Sequence, residues 1–98
     1  MPAKVSSSHK FTYDNTPGVN LARTALKAKS RVLWFVEWPR EGWDESDYQM
    51  GIYRGLQKQA PGSELVPVCY AWDALAKMPE AQQFRLWQPD GNHATRAG

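Results

Sequence analysis

The chain has 98 residues, with 42% hydrophobic and 22% charged residues and a formal net charge of +2. This length suits one domain with one core, and the composition is typical of a folded globular protein rather than a disordered one. No apolar run approaches the roughly 18–20 residues that span a bilayer, the N-terminus has no secretory pattern, and the single cysteine, Cys69, forms no internal disulfide. We therefore expect a cytoplasmic protein with no membrane partner.

Charge is distributed unevenly along the chain. Residues 1–31 hold six cations and one acid, residues 37–64 hold six acids and three cations, and the last third is neutral. A small domain with a basic end and an acidic middle is suited to pair with itself or with a partner of mixed charge.

The first predicted elements are a strand and a helix. We expect residues 1–8 to be flexible, and residues 9–13 alternate in the manner of a short strand. A helix is predicted from Val19 to Ala28, with Thr16 as its N-cap and Pro17 at its first position. Its buried stripe is expected to consist of Val19, Ala22 and Leu26.

The strongest strand pattern runs from Arg31 to Trp38. An unbroken apolar run is typical of a strand covered on both faces, so this strand is predicted to lie centrally in a sheet. Asp44 is then expected to cap a second helix that ends near Gln59, with Asp47 in its first turn. The pair of glycines on one face of that helix, Gly51 and Gly55, predicts close packing there.

Three shorter elements complete the chain. Glu64 to Tyr70 is predicted to be an edge strand or a strand broken by a bulge, because Pro67 removes one donor from the ladder. A short helix follows from Ala71 to Met78, then a strand from Phe84 to Gln88, and residues 93–98 are expected to be flexible.

The order of these elements predicts an α/β domain spanning the whole chain. We expect a mixed sheet of about four strands, with two main helices and one short helix, and right-handed crossovers that leave the Arg31–Trp38 strand inside the sheet. An α+β arrangement with an antiparallel terminal pair is the alternative.

Five tryptophans in 98 residues are the most unusual feature of the composition. If the strands are parallel, Trp38, Trp43, Tyr70 and Trp72 cluster at the sheet edge where α/β proteins bind ligands. Such rings act as hot spots for a protein partner or as platforms for stacked bases, or they complete a thin core. If Trp43 and Trp72 are hot spots, replacing both by alanine weakens partner binding and leaves the thermal midpoint almost unchanged. If they are core rings, the double mutant unfolds.

An acidic run between Glu37 and Asp47 has two interpretations. Acids at a helix N-terminus are explained by the helix dipole, and the spacing is not that of a calcium loop, so no metal site is predicted. As a docking feature, the run would steer a basic partner. The predicted rim consists of Glu41, Asp44, Glu45 and Asp47.

Catalytic motifs are not found in this sequence. Cys69 lies between a strand and a helix, where a thiol pKa is often lowered, but the histidines His9 and His93 have no predicted contact with it. A buried, inert cysteine is the better interpretation. We therefore place an enzyme third among the functions, and predict no cofactor.

The leading hypothesis is a protein-interaction module that docks on a larger partner protein as an inhibitor, regulator or adaptor. Self-association is a further option, because an edge strand and the charge split leave a surface to cover. The alternative is a single-stranded nucleic-acid binder that combines exposed tryptophans with a basic N-terminal third and binds less tightly as salt rises. Its predicted phosphate contacts are Arg23, Lys27, Lys29 and Arg31.

Overall fold

The computed structural model describes residues 4–5 and 14–98. The elements in chain order are β1 (Lys4–Val5), α1 (Thr16–Lys27), β2 (Leu33–Phe35), β3 (Trp43–Asp44), α2 (Ser46–Gln59), β4 (Glu64–Val66), α3 (Val68–Ala76) and a 3₁₀ turn (Pro79–Gln83). The α/β class is confirmed, as are two main helices and a shorter third. The predicted strand at residues 9–13 lies outside the described residues. None of the helices described is long and apolar enough to cross a membrane.

The strands form two separate parallel pairs rather than one mixed sheet in the described part of the chain. β1 lies beside β3, and β2 lies beside β4. In the second pair Leu33 is opposite Glu64, and Phe35 is opposite Val66. The connection from β2 to β4 passes through α2, as parallel pairing requires.

Helix α1 begins three residues earlier than its apolar spacing predicts. Asn15 is the N-cap, and Thr16 is already helical, so the prediction that Thr16 caps the helix is wrong. The side chain of Asp14 accepts the Thr16 N–H at 3.0 Å, which satisfies one of the free donors at this end. The predicted stripe is confirmed, with Val19 and Ala22 buried and Leu26 half-buried.

Strand β2 is shorter and more exposed than its sequence predicts. Only Leu33–Phe35 form the strand, which pairs on one edge with β4 and on the other with no described strand. The side chains of Leu33 and Phe35 are 51% and 53% exposed, whereas Val36 is fully buried. The prediction of a central strand covered on both faces is therefore wrong, because only one face of this small sheet is covered by described elements.

Helix α2 contains the predicted spacing but begins later. Asp44 belongs to β3 and Glu45 is the N-cap, so Asp44 does not cap the helix, although Asp47 does lie in its first turn. A Cβ added to Gly51 or Gly55 would meet no atom within 4 Å. The prediction of close packing at these glycines is thus wrong.

Pro67 changes the chain from strand to helix. β4 ends at Val66, Pro67 is the N-cap of α3, and the helix starts at Val68 instead of Ala71. Proline suits this position because it has no N–H to leave without an acceptor at a helix start. β4 is an edge strand, as predicted, but its length is set by this helix start.

The prediction of a last strand from Phe84 to Gln88 is wrong: the 3₁₀ turn ends at Gln83, and the only pairing found in this described segment is one antiparallel bridge between Trp87 and Ala94. The segment after the bridge folds back, because Gln88 N–H donates to His93 O at 2.7 Å and Thr95 N–H donates to Leu86 O at 2.9 Å. The flexibility of residues 93–98 stays a prediction.

Two apolar clusters form the core. The first joins Val36, Met50 and Cys69 between β2, α2 and α3. The second surrounds Trp72, Ala81 and Leu86 and connects α3 to the C-terminal segment. Trp38 and Trp87 also pack against this second cluster.

Candidate interaction surfaces

Three tryptophans are packed against one another in the second core cluster. Trp72 is 5% exposed and stacks on Trp38, with ring centroids 5.1 Å apart and planes inclined by 21°. Its other contact is with Trp87, edge to face at 5.3 Å. Offset stacked and edge-to-face pairs are the favoured aromatic geometries, so these rings stabilise the fold by their mutual contacts.

Two indole N–H groups of this cluster tie distant parts of the chain together. Trp38 Nε1 donates to Asn92 O at 2.7 Å, and Trp87 Nε1 donates to Pro39 O at 2.8 Å. The Nε1 of Trp72 is buried and donates to no acceptor among the described residues. The two bonds fix the C-terminal turn against the loop that follows β2.

The structure divides the predicted aromatic anchors between core and surface. Trp38 and Trp72 are brought together, but they pack on each other, and Trp72 is buried. Trp43 is half-buried beneath the Arg40 guanidinium, which lies 3.8 Å from the ring centroid. Tyr70 is half-buried, and its hydroxyl donates to an acidic side chain of α2. A thin core completed by bulky rings is the arrangement found here.

The predicted acidic rim is largely occupied by internal contacts. Glu45 is buried and forms an ion pair with Arg40, whose backbone N–H also donates to Glu45 Oε2 at 2.8 Å. Glu41 pairs with Arg85 at 2.9 Å. A buried, paired carboxylate does not steer a distant partner, so Glu45 is excluded from this role.

The remaining rim residues lie on the surface. Asp47 accepts the Tyr70 hydroxyl at 2.7 Å, and this hydrogen bond, with the negative charge, raises the pKa of Tyr70. Asp44 is exposed in β3. Neither carboxylate lies within a metal-binding group, since the described residues contain no cluster of three or more suitable side chains.

Cys69 and His93, the cysteine and the histidine among the described residues, have no contact with each other among those described. Cys69 is fully buried, as predicted, and burial raises the pKa of its thiol despite opposing hydrogen bonds. His93 instead contacts Asp90 at 2.6 Å. This exposed pair raises the pKa of His93 and lowers that of Asp90 to about 2, through their mutual hydrogen bond first.

The predicted nucleic-acid contacts are only partly available. Arg23 Nε donates to Gln59 O at 2.7 Å, and Arg31 forms an ion pair with Glu64 at 3.0 Å. Lys27 and Lys29 are exposed at the end of α1. The stacked rings of Trp38 and Trp72 contact each other and thereby offer less surface to a base.

The most exposed aromatic ring of the described residues is one that sequence reasoning placed on a strand. Phe84 is 60% exposed, and the partly exposed side chain of Leu75, in the last turn of α3, lines a groove with it. Two grooves share the wall formed by Phe84, Ala81 and Leu86. The larger, of about 360 Å³, is also lined by Glu41, Ala76, Gln83, Arg85 and Trp87. The smaller, of about 160 Å³, is also lined by Leu75, Glu80 and Ala97.

We call Leu75, Phe84 and the two grooves the Phe84 surface. Ala81 and Leu86 beneath it belong to the buried tryptophan cluster, so the support of the exposed ring is well packed. The sequence signal for this surface is an apolar ring between two polar neighbours, Gln83 and Arg85, directly after a proline-initiated turn.

A separate apolar groove lies between α1 and β2. It measures about 350 Å³, and its lining is mostly apolar: Gly18, Leu21, Ala22 and Ala25 from α1, then Arg31, Val32, Leu33 and Trp34. Leu21 is 72% exposed beside it.

Comparison of the chain with protein-family models, curated proteins and solved structures finds no match.

Proposed function

We propose that the protein is an interaction module of the cytoplasm that docks on a larger partner protein through the Phe84 surface, as an inhibitor, regulator or adaptor. The observation that carries this proposal is the exposure of Phe84 between two grooves above a packed support. Large exposed apolar side chains beside concave surfaces are typical of protein interfaces.

The packed support favours tight binding. The turn at Pro79–Gln83 and the bridge at Trp87 hold the backbone on both sides of Phe84. Because the turn and the bridge already hold this backbone, the segment that carries Phe84 loses less conformational entropy on binding than a loose loop would. In this proposal the tryptophans lie beneath the interface and support it. The sequence had predicted instead that the tryptophans form the interface themselves.

The charges around the ring suit a partner of mixed charge. Glu41 and Arg85 form an exposed ion pair at one side, and Glu80 lines the smaller groove at the other. Lys77 is exposed at the end of α3. Such rim charges contribute to orientation and association rate more than to affinity.

Single-stranded nucleic acid remains the alternative ligand, supported by the exposed Lys27 and Lys29. It is the weaker proposal, because Arg23 and Arg31 already have acceptors and because the stacked tryptophans contact each other. A nucleic-acid binder loses affinity steeply as salt rises, whereas docking through an apolar surface depends less on salt.

The test uses the full chain as bait in source-cell lysate, with and without nuclease, followed by purification and titration of the protein that is retained. We compare Phe84→Asp with Leu21→Asp, because both side chains are strongly exposed and lie on different surfaces. Phe84→Asp should weaken binding at least about tenfold, as expected for a hot spot. Leu21→Asp should change it by no more than about twofold, the range of ordinary surface substitutions.

Equal affinity of Phe84→Asp and the unmodified chain would contradict the proposal. Retention that disappears with nuclease would replace it with the nucleic-acid alternative, and Lys27 and Lys29 would then be the residues to neutralise. Thermal midpoints of both variants serve as the folding control, since both substituted side chains are exposed.

A further inference from the structure

The outer edge of β2 has backbone groups directed away from its partner strand. Val36 N–H donates to Val66 O at 3.0 Å, and Glu64 N–H donates to Val32 O at 2.9 Å. Because alternate residues of a strand direct their N–H and C=O to opposite edges, Leu33 and Phe35 direct theirs to the edge that no described strand pairs.

The opposite edge of this small sheet is less suited to a further strand. On β4 only Leu65 directs its backbone groups away from β2, and the next residue, Pro67, has no N–H. Among the described residues, β2 therefore provides the edge of this sheet that is better suited to strand addition.

One face of β2 is also only partly covered by the described residues. Leu33 and Phe35 lie on this face and are about half exposed. The hydrogen bonds between β2 and β4 extend from Val32 to Val36, so Arg31 and Glu37 lie one residue outside them, one at each end. Parallel strands are found almost only in sheets with both faces covered, and two strands alone are marginally stable. An unpaired apolar edge of this kind is a template for pairing with another chain.

The residues along β2 are complementary to themselves when the strand is reversed. In an antiparallel pair centred on Trp34, Leu33 is opposite Phe35 of the second strand. Arg31 is then opposite Glu37. Leu33 and Phe35 are residues with outward backbone groups, so each such pair exchanges two N–H···O bonds. The two apolar pairs lie at the centre, and opposite charges flank them.

From this complementarity we infer that two copies of the chain associate through antiparallel pairing of their β2 edges, in the register centred on Trp34. The dimer has two-fold symmetry, so each Arg31 meets the Glu37 of the second copy. The result is a four-stranded sheet with the order β4-β2-β2-β4.

The charged groups are available for these contacts. Arg31 uses Nε and Nη2 on Glu64, which leaves its Nη1 without a described acceptor. Glu37 is exposed and forms no ion pair with the described residues. Opposite charges on facing strands stabilise a pair, and like charges destabilise it.

The dimer surface shares no lining residue with the Phe84 surface. A dimer therefore presents two copies of that surface, and a partner with two binding sites gains avidity without new contacts. The dimer does not depend on the proposed docking, and either one can fail alone.

Sedimentation velocity of the full chain over a concentration series tests the inference. The variants are Arg31→Glu, Glu37→Arg and the double exchange, and Lys29→Glu is the matched control from the same segment. Each single exchange creates two like-charge pairs between the copies and should raise the dimer dissociation constant about tenfold. The double exchange removes those like-charge pairs and should lower the constant again, short of full recovery because Arg31→Glu also breaks the Arg31–Glu64 pair within each copy. Lys29→Glu should leave it nearly unchanged.

Amide hydrogen exchange at Leu33 and Phe35 identifies the cover of the edge. We expect protection that increases with protein concentration. Protection in a monomer would show that another segment of the same chain covers the edge, and this would overturn the inference. A chain that is monomeric at all concentrations, or a double exchange that does not lower the dissociation constant again, would also overturn it. If Lys29→Glu abolished the dimer and Arg31→Glu did not, the proposed register would be overturned.

Discussion

Replacing Trp72 with alanine should destabilise the protein severely. The ring is buried between Trp38 and Trp87, with centroid distances of 5.1 and 5.3 Å. A hot-spot ring would be lost with little change in thermal midpoint, whereas a ring at the centre of a cluster leaves a cavity that its neighbours fill only in part.

The magnitude follows from two opposing effects. Removing a buried tryptophan side chain costs about 3–5 kcal/mol, and its two aromatic contacts favour the upper end of that range. The indole N–H of Trp72 has no described acceptor, and removing such a buried donor returns about 1–3 kcal/mol. The net loss is about 3 kcal/mol, a large part of the roughly 5–15 kcal/mol that stabilises a typical domain. At about 4–8 °C per kcal/mol, the midpoint should fall by roughly 12–24 °C.

Urea and thermal unfolding, followed by circular dichroism, measure this loss. Leu75→Ala is the control, because Leu75 lies on the same helix with its side chain partly exposed, and its midpoint should change by only a few degrees. A midpoint for Trp72→Ala within about 4 °C of the unmodified protein would correspond to less than about 1 kcal/mol and would refute the assignment of this ring to the core.

Three further predictions concern individual groups. Cys69 should react with a thiol reagent only as fast as the protein opens, since it is fully buried with a raised thiol pKa; rapid reaction of the native protein, relative to a urea-unfolded sample, would contradict this. Asp90→Asn should lower the pKa of His93 towards its ordinary value in an NMR titration. The pair makes its full contribution to stability at pH values between the ordinary carboxylate pKa and the ordinary imidazole pKa. This contribution is lost when Asp90 is protonated, as pH falls through its pKa of about 2, and when His93 is deprotonated, as pH rises through its raised pKa. Arg40→Ala should cost about 1–3 kcal/mol in urea unfolding, because it leaves the buried Glu45 carboxylate without its cation; an unchanged midpoint would show that other groups satisfy this carboxylate.

Local chemistry made several elements predictable. The apolar spacing of α1 identified its buried residues, and Pro17 marked its start within a few positions. The role of Pro67 was predicted in part: a residue without an N–H interrupts a strand, but the same property suits the start of a helix. Sequence alone does not distinguish these outcomes, because the choice depends on how the next segment packs.

The failures have a common physical cause. The apolar run at β2 resembles a central strand, yet the number of neighbours a strand has depends on the rest of the sheet and not on its own residues. Trp72 and Phe84 have similar hydrophobicity, but one is buried and the other exposed. Their placement depends on the 3₁₀ turn and the bridge at Trp87, which are contacts between segments and leave little local signal.

The claim that Phe84 contacts a partner is tested most directly by a photo-crosslinking amino acid placed at that position in the full chain. An identical probe at Leu21 controls for general surface exposure. We predict that one protein becomes crosslinked to the probe at Phe84 and is not crosslinked to the probe at Leu21. No crosslinked protein at Phe84, or the same protein at both positions, would contradict docking through the Phe84 surface.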